Sequence, residues 1–222
     1  MSAKKTAKPK HRILLVDDHA IVREGFAEVI KTNASLTVCG EAESAAEAMT
    51  AVERLKPDLV VVDLSLQGGS GLDLIKNLKS LHPLLPMLVL SMHDEALYAE
   101  RALRAGALGY VMKRQDSATL LRAIREVLEG RIFLSPVMRE RMLQKVAGGV
   151  PLTTDSGAVK FTDREIEVLQ LIGEGRTTRQ IAQKLHLSIS TVETHRAHIK
   201  EKLNVGNGPE LIRAAVEWVN SH

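Results

Sequence analysis

The sequence predicts an α/β domain with a (βα)5, doubly wound parallel sheet, followed by an all-α domain of four helices. Between residues 12 and 130, five short apolar runs alternate with helix-length amphipathic stretches, which is the pattern of a parallel sheet with crossover helices. From residue 161 onward, apolar positions recur only at helical spacing. A length of 222 residues favours two domains of ordinary size.

Within the first predicted domain, 12–130, each strand and helix has its own sequence signal. Ser44 and Glu47 have the spacing of a capping box, and either Asp116 or Ser117 can cap the last helix. Each apolar run is short and bounded by polar or turn residues, as expected for buried strands. The five runs occupy 13–16, 36–39, 59–62, 87–90 and 109–112.

The remaining segments divide into a tail, a linker and a helical domain. Residues 1–11 carry four lysines and no acidic residue, which favours a disordered basic tail. The interval 131–160 is rich in Gly, Pro, Ser and Thr near its end and is predicted to be a linker. The domain 161–222 follows, with helices predicted over 162–174, 177–185, 188–203 and 209–219. The first two open with capping boxes at Thr162 and Thr177, and the last two begin at Ser188 and Pro209.

Composition excludes several classes of protein. Aromatic residues make up only 3% of the chain, which argues against base-stacking platforms for single-stranded nucleic acid. A single cysteine excludes an intrachain disulfide and a Cys-rich zinc module. No apolar run has the length of a membrane span, and the polar start lacks a signal peptide. We therefore expect a cytoplasmic protein that has no membrane partner.

Polar side chains follow four of the apolar runs. Asp17 and Asp18 follow the first run, Asp63 the third, Ser91 ends the fourth, and Lys113 follows the fifth. Ligands bind at the carboxyl ends of strands in an open parallel sheet. Converging carboxylates repel each other unless a cation such as Mg²⁺ joins them. The pattern predicts phosphoryl transfer to Asp63, with Lys113 and Ser91 placed to stabilise the phosphoryl oxygens.

The segment 177–203 has the spacing of a helix-turn-helix, with a tight turn at His186. On its second helix Val192, Ile199 and Leu203 share one face, and a polar face of small residues lies opposite. Such a face can enter the DNA major groove. The net charge of 160–222 is only +1, so this prediction depends on the motif and not on bulk charge.

Residues 12–130 resemble the receiver domain of bacterial two-component response regulators, through Val16-Asp17-Asp18-His19, Val62-Asp63-Leu64, Leu90-Ser91-Met92 and Gly109-Tyr110-Val111-Met112-Lys113. The resemblance implies that Asp63 accepts phosphate from a sensor histidine kinase and that Ser91 and Tyr110 turn inward on phosphorylation. It also implies a Mg²⁺ site formed by Asp17, Asp18, Asp63 and the backbone of Ser65. The proline often found after the phosphorylated aspartate is replaced by Gln67-Gly68-Gly69, which predicts a more flexible loop. Arg114 stands where many receivers have a second proline.

Residues 160–222 resemble the DNA-binding domain of LuxR and NarL/FixJ-type regulators, through the string from Phe161 to Leu169, Ile181-Ala182, and Ser190 to His195. The resemblance places Glu193, Thr194 and Ala197 at base-facing positions and the last helix at a dimer contact on DNA. The predicted dimer residues are Leu211, Ala215 and Trp218. The full set of predicted DNA contacts is Thr177, Arg179, Ser190, Thr191, Glu193, Thr194, Ala197 and Lys200.

These observations predict a response regulator in which phosphorylation of Asp63 controls homodimerisation and binding to double-stranded DNA. Two alternatives remain open at this point. A partner protein or a ligand can replace phosphate as the input to the same DNA-binding domain. A phosphatase of the haloacid dehalogenase kind also forms an aspartyl phosphate, although that family places its nucleophile after the first strand.

Overall fold

The computed structural model describes residues 10–66, 69–148 and 161–220. Residues 1–9 of the predicted tail, Gln67 and Gly68 of the loop after Asp63, and 149–160 of the predicted linker lie outside the described residues. The chain divides into two compact units, one ending at Ser135 and one beginning at Pro136. Each unit is described separately.

The first unit is a parallel sheet between two layers of helices. Its five main strands have the order β2-β1-β3-β6-β7, and all their pairings are parallel. The strand order reverses between β1 and β3, and ligands bind at such a switch point in an open parallel sheet. The elements are β1 His11–Val16, α1 Ala20–Lys31, β2 Leu36–Ala42, α2 Ala45–Leu55, β3 Leu59–Val62, β4 Ser65–Leu66, β5 Gly69–Ser70, α3 Gly71–Leu81, β6 Met87–Ser91, α4 Glu95–Ala105, β7 Gly109–Met112 and α5 Ser117–Leu128.

Both faces of the central strands β3 and β6 are buried, which explains why these strands are continuous apolar runs. One face packs against Ile30 of α1 and Ile124 of α5 in a single core cluster. On the other face Leu55 of α2 lies against Gly40, next to Leu14. The predicted doubly wound α/β class is confirmed.

The helix caps follow the sequence signals with one difference. Asp116 caps α5 by accepting a hydrogen bond from the Thr119 N–H. Ser44 caps α2 through the Glu47 N–H, but the Glu47 carboxylate accepts from the N–H of Glu43 and not from that of Ser44. The capping box predicted there is therefore formed only in its first half.

The segment after α5 differs from the predicted linker. Phe133 joins the core of the sheet, forms a parallel bridge with Gly109, and receives the side chain of Arg122 over its ring. Residues Pro136–Ala147 then form a further helix, α6. The sequence did not predict α6 because it lacks a strong apolar stripe. Met138 is the one residue buried along this helix.

The second unit contains the predicted four helices: α7 Asp163–Gly173, α8 Thr178–Lys184, α9 Ile189–Leu203 and α10 Gly208–Asn220. Complete capping boxes at Thr162 and Thr177 begin α7 and α8, and the Ser188 side chain caps α9. The turn between α8 and α9 contains His186 with φ of 52°, a left-handed conformation that closes a tight connection. Ile181, Val192 and Leu211 are among the fully buried core residues.

Candidate functional site

The carboxyl ends of β1, β3 and β7 bring an acidic pair, a third carboxylate and a lysine together. Lys113 Nζ lies 2.6 Å from Asp17 Oδ2 and 2.6 Å from Asp63 Oδ2. The Asp17 and Asp63 side chains are 7% and 3% exposed, so these charges interact away from water. Buried ion pairs of this kind are strongly coupled because the surrounding dielectric is low.

The ionisation of Asp63 is set mainly by burial. Burial raises the pKa of Asp63 to about 6, and the neighbouring Asp17 charge acts in the same direction. The Lys113 ammonium and the Ser65 backbone N–H oppose this shift. Burial alone would lower the pKa of Lys113, but the Asp63 and Asp17 carboxylates outweigh it and raise that pKa above its ordinary value. Lys113 is therefore a fixed positive charge beside Asp63.

The same place fits a divalent cation. Asp17, Asp18, His19 and Asp63 each offer a ligand atom, and these atoms all lie within 4.8 Å of one another. Asp63 Oδ1 is buried and has no hydrogen-bond partner among the described residues. Oxygen atoms from several carboxylates are the donor set that Mg²⁺ prefers.

A buried arginine supports the acidic pair, and sequence reasoning missed it. Arg23 of α1 donates to the Asp17 carbonyl at 2.6 Å, to Glu41 at 2.8 Å and to Glu43 at 2.7 Å. These bonds tie the loop after β1 to the end of β2. The available signal was a charged residue at a position of α1 that belongs to its buried stripe, as the burial of neighbouring Ala27 shows.

Ser91 and Tyr110 are both buried beside this pocket. The Lys113 N–H donates to the Ser91 carbonyl at 2.8 Å, so the two residues occupy adjacent strand ends. Tyr110 points inward, and its hydroxyl donates to the His93 carbonyl at 3.0 Å. Ser65, whose backbone was a predicted metal ligand, lies on β4, with its Oγ 2.9 Å from His93 Nε2. The loop after β6, through His93, is thus linked to both Tyr110 and Ser65.

In the second unit, α9 presents the predicted polar face to solvent. Val192 and Ile199 are buried, Leu203 is half-buried, and Glu193, Thr194 and Ala197 are exposed. The burial confirms the predicted division of the helix into an inner and an outer face. Thr177, Ser190 and Thr191 take part in local bonds at helix starts.

The cations near this face have different surroundings. Lys202 is bonded to the buried carboxylate of Glu165 on α7, so its charge is used inside the domain. Among the described residues, Arg179 and Lys200 form no ion pair, and Arg179 is exposed while Lys200 is half-buried. Both cations are therefore available to meet an external anion such as a DNA phosphate.

Two of the three predicted dimer residues on the last helix, α10, lie inside the domain. Leu211 and Ala215 are fully buried within the domain. At this place α10 packs so closely on α7 that a side chain at position 173, which is glycine, would collide with the backbone of Ala215. Neither residue is available to a partner. The exposed apolar residues of α10 are Ile212 and Val216, at 48% and 39% exposure, and Trp218 is half-buried.

Comparison with known proteins agrees with this architecture. Residues 13–125 match the family described as response regulator receiver domain, and residues 159–215 match that described as bacterial regulatory proteins, luxR family. The chain is 33% identical over 210 residues to oxygen regulatory protein NreC of Staphylococcus carnosus, an alignment that covers 93% of this chain and 97% of that protein.

Two solved structures show the same fold. A two-component response regulator of the LuxR family from Aurantimonas sp. SI85-9A1 is 36% identical, with a TM-score of 0.58 over 62% of this chain and 99% of that one. RcsB from Salmonella enterica serovar Typhimurium, bound to promoter rprA in the presence of phosphomimetic BeF3−, is 28% identical, with a TM-score of 0.60 over 92% of this chain and 97% of that one.

No helix of the described residues has the length and apolar character needed to cross a membrane. The matched families are transcription regulators and not enzymes, so the phosphatase alternative is rejected. The chain belongs to the NarL/FixJ-type response regulators: it is a DNA-binding regulator of a two-component system, with a receiver domain followed by a LuxR-type helix-turn-helix domain.

Proposed function

We propose that Asp63 is the phosphoacceptor of this regulator and that a sensor histidine kinase supplies the phosphoryl group. The observation that carries the proposal is the asymmetry of the Asp63 carboxylate. Its Oδ2 is held by Lys113, whereas its Oδ1 is buried without a partner among the described residues. One oxygen is therefore fixed and the other is available to attack phosphorus.

Transfer from a phosphohistidine would form a bond between Asp63 Oδ1 and phosphorus and break the bond between phosphorus and the histidine nitrogen. That nitrogen leaves with the electron pair of the broken bond, and the ring departs as neutral imidazole because its other nitrogen carries a proton. Lys113 remains protonated and stabilises the phosphoryl oxygens, since the transition state needs charge neutralisation more than covalent help. Ser91 offers a hydroxyl donor at the adjacent strand end.

Mg²⁺ would be held by the carboxylates of Asp17, Asp18 and Asp63 together with the backbone of Ser65. When bound, it supplies positive charge that offsets the repulsion among the carboxylates and on the phosphoryl oxygens. Arg23 fixes the backbone of Asp17 for this purpose. His19 donates its backbone N–H to Asp17 Oδ1 at 2.9 Å and thereby orients that carboxylate.

Phosphorylation would be transmitted by Ser91 and Tyr110, the predicted switch pair. Both side chains are buried, and the Tyr110 hydroxyl is bonded to the loop after β6 through the His93 carbonyl. The Ser91 oxygen accepts from the His93 N–H, with 3.3 Å between nitrogen and oxygen. A phosphoryl group on Asp63 would accept from the Ser91 O–H, and turning Ser91 toward it would disturb the bond from His93. The loop after β6 is then the part of the domain that responds.

In the second domain, we assign base contacts to Glu193, Thr194 and Ala197, because they are exposed near the start of α9. The N-terminal residues of a recognition helix are those that meet base edges in the major groove. Arg179 and Lys200 would contact phosphates, with Thr177, Ser190 and Thr191 at the helix starts alongside. The protein would bind as a homodimer, as the solved structure of two RcsB dimers on parallel DNAs supports.

Phosphorylation is tested with a small phosphodonor and Mg²⁺. The Asp63→Asn variant should take up no label, whereas Asp73→Asn, a change of an exposed carboxylate on α3, should label like the unmodified protein. Asp18→Ala should lose the Mg²⁺-dependent labelling while keeping its fold. Full labelling of Asp63→Asn would refute the phosphoacceptor assignment.

DNA binding is tested by gel shift with and without beryllofluoride and Mg²⁺. Beryllofluoride should strengthen binding and produce a dimer on size exclusion. Lys200→Ala should weaken binding to every duplex alike and reduce the salt dependence by about one unit of slope. Equal DNA affinity with and without beryllofluoride would instead favour a partner protein or ligand as the input.

A further inference from the structure

The carboxylate of Glu193 is held by a residue from another helix. Thr178, in the first turn of α8, donates its hydroxyl to Glu193 Oε1 at 2.8 Å. On the other side, Arg196 Nε lies 3.7 Å from Glu193 Oε2. Both oxygens of this exposed side chain therefore have a fixed neighbour inside the domain.

Such anchoring matters because a free glutamate is mobile. A glutamate side chain that becomes ordered on binding loses rotamer freedom, and this loss opposes the binding it contributes to. Glu193 is 57% exposed, so packing alone does not restrain it. The hydrogen bond from Thr178 restrains it before DNA arrives.

The anchored carboxylate keeps the capacity to accept from a base. Each carboxylate oxygen has two lone-pair sites, and the Thr178 hydroxyl uses one site of Oε1. The amino group of cytosine is the donor that a glutamate recognises in the major groove. DNA phosphates also repel a carboxylate. A carboxylate that is held in place therefore favours binding where a base donor lies opposite it and opposes binding at other positions along the groove.

We infer that Thr178 is a positioning residue that sets the base preference of the helix-turn-helix domain by holding the Glu193 carboxylate. Thr178 acts through Glu193 and not through its own contact with a base. This inference rests on the proposed base contact of Glu193. Thr177, and not Thr178, caps α8, so the Thr178 hydroxyl can be removed without removing the cap.

The test uses the full-length protein with beryllofluoride and Mg²⁺ and a library of random-sequence duplexes. Duplexes enriched by the unmodified protein are resynthesised with each of the four bases at every position, and affinities are measured for Thr178→Val, Thr178→Ser, Glu193→Gln and the Thr178→Val/Glu193→Gln double variant. Valine keeps the branched shape of threonine and removes the donor. Serine keeps the donor and is the matched control.

We expect Thr178→Val to reduce the preference at one base position by about three- to tenfold, the size of effect of a typical net hydrogen bond. Thr178→Ser should retain the preference. In the double variant, the valine should add nothing to the change caused by Glu193→Gln, because the two residues act as one unit.

Three outcomes would overturn the inference. If Thr178→Val weakens binding to all duplexes equally, Thr178 contacts phosphate or only stabilises α8. If Glu193→Gln shifts the base preference and Thr178→Val does not, the positioning role is wrong while the base contact of Glu193 stands. If Glu193→Gln leaves the preference unchanged, the proposed base contact itself fails, and the role of Thr178 fails with it.

Discussion

Gly71 lies so close to the backbone of Asp63 that a Cβ at position 71 would be 2.1 Å from the Asp63 carbonyl oxygen. The Gly71 N–H also donates to the Leu64 carbonyl at 2.9 Å. The start of α3 is thereby docked on the chain that carries the proposed phosphoacceptor. A contact this short with backbone atoms leaves no room for any side chain.

Gly71→Ala should destabilise the receiver domain by about 1–3 kcal/mol, because the backbone of Asp63 or of α3 must move. The measurement is urea unfolding followed by circular dichroism. Gly25→Ala is the matched control, since Gly25 lies in the middle of α1 and a Cβ there meets nothing. The control should gain about 0.5–1 kcal/mol from helix propensity. A similar gain in Gly71→Ala would contradict the close packing.

The raised pKa of Asp63 predicts a dependence of stability on pH in metal-free buffer. The folded protein holds a proton on Asp63 more tightly than the unfolded chain does, so this group's contribution is present below pH 3.8 and is lost as pH rises to about 6. Asp63→Asn lacks this titration. Between about pH 4 and pH 7 the variant should gain roughly 2–3 kcal/mol relative to the unmodified protein.

Urea unfolding at several pH values, with a chelator present, measures this difference. Asp73→Asn, which changes an exposed carboxylate on α3, is the control variant. The prediction fails if the stability difference between Asp63→Asn and the unmodified protein is the same at both ends of the range.

Lys202 and Glu165 predict a second stability effect, in the DNA-binding domain. Burial would raise the pKa of Glu165, but the Lys202 ammonium and the Thr162 N–H outweigh it and hold that pKa below its ordinary value. Lys202→Met leaves a buried carboxylate with one partner fewer and should cost about 1–3 kcal/mol. The cost should decrease as pH falls and Glu165 takes up a proton.

The single tryptophan, Trp218, lies on α10 of the same domain and reports its unfolding by fluorescence. Lys200→Met, two residues away on α9, is the control for the loss of a positive charge, because Lys200 forms no ion pair among the described residues. It should leave the unfolding midpoint unchanged. Equal midpoints for Lys202→Met and the unmodified protein would show that the ion pair is not stabilising.

The division of α10 into a buried and an exposed apolar face predicts that folding of the domain and dimer formation on DNA depend on different residues. Ile212→Glu combined with Val216→Glu should abolish cooperative binding to two adjacent half-sites, because it places charges on the exposed apolar face of α10. Gel shifts on duplexes with one or two half-sites measure the cooperativity. Leu211→Ala should instead lower domain stability by about 2–5 kcal/mol, since Leu211 is fully buried. Retained cooperativity in the double variant would exclude this face from the dimer.

The main elements of the fold followed from periodicity and caps because those signals are local. The strand ends that carry Asp17, Asp63 and Lys113 could be placed in the same way, since the carboxyl ends of parallel strands share one edge. The bonds of Arg23 to Glu41 and Glu43 could not, because they join residues far apart in sequence whose pairing depends on the packing of α1 beside β2.

Two other features show the same limit. The hairpin of β4 with β5 consists of two-residue strands, which are too short to produce an alternating pattern. On α10, helical spacing identified an apolar face but could not decide which part of it meets α7. Leu211 and Ala215 lie on the inner side, where Gly173 allows α7 and α10 to approach closely.

The shortness of α8 and α9 has a consequence for how DNA recognition can be lost. Helices of seven and 15 residues are marginal in water by themselves, since nucleating a helix is costly. A synthetic peptide copying Ile189–Leu203 would be largely unstructured and would not present Glu193 and Thr194 side by side. The proposed DNA-binding surface therefore exists only while Val192 and Ile199 remain packed in their own domain. Any event that separates α9 from α7 would remove it in a single cooperative step.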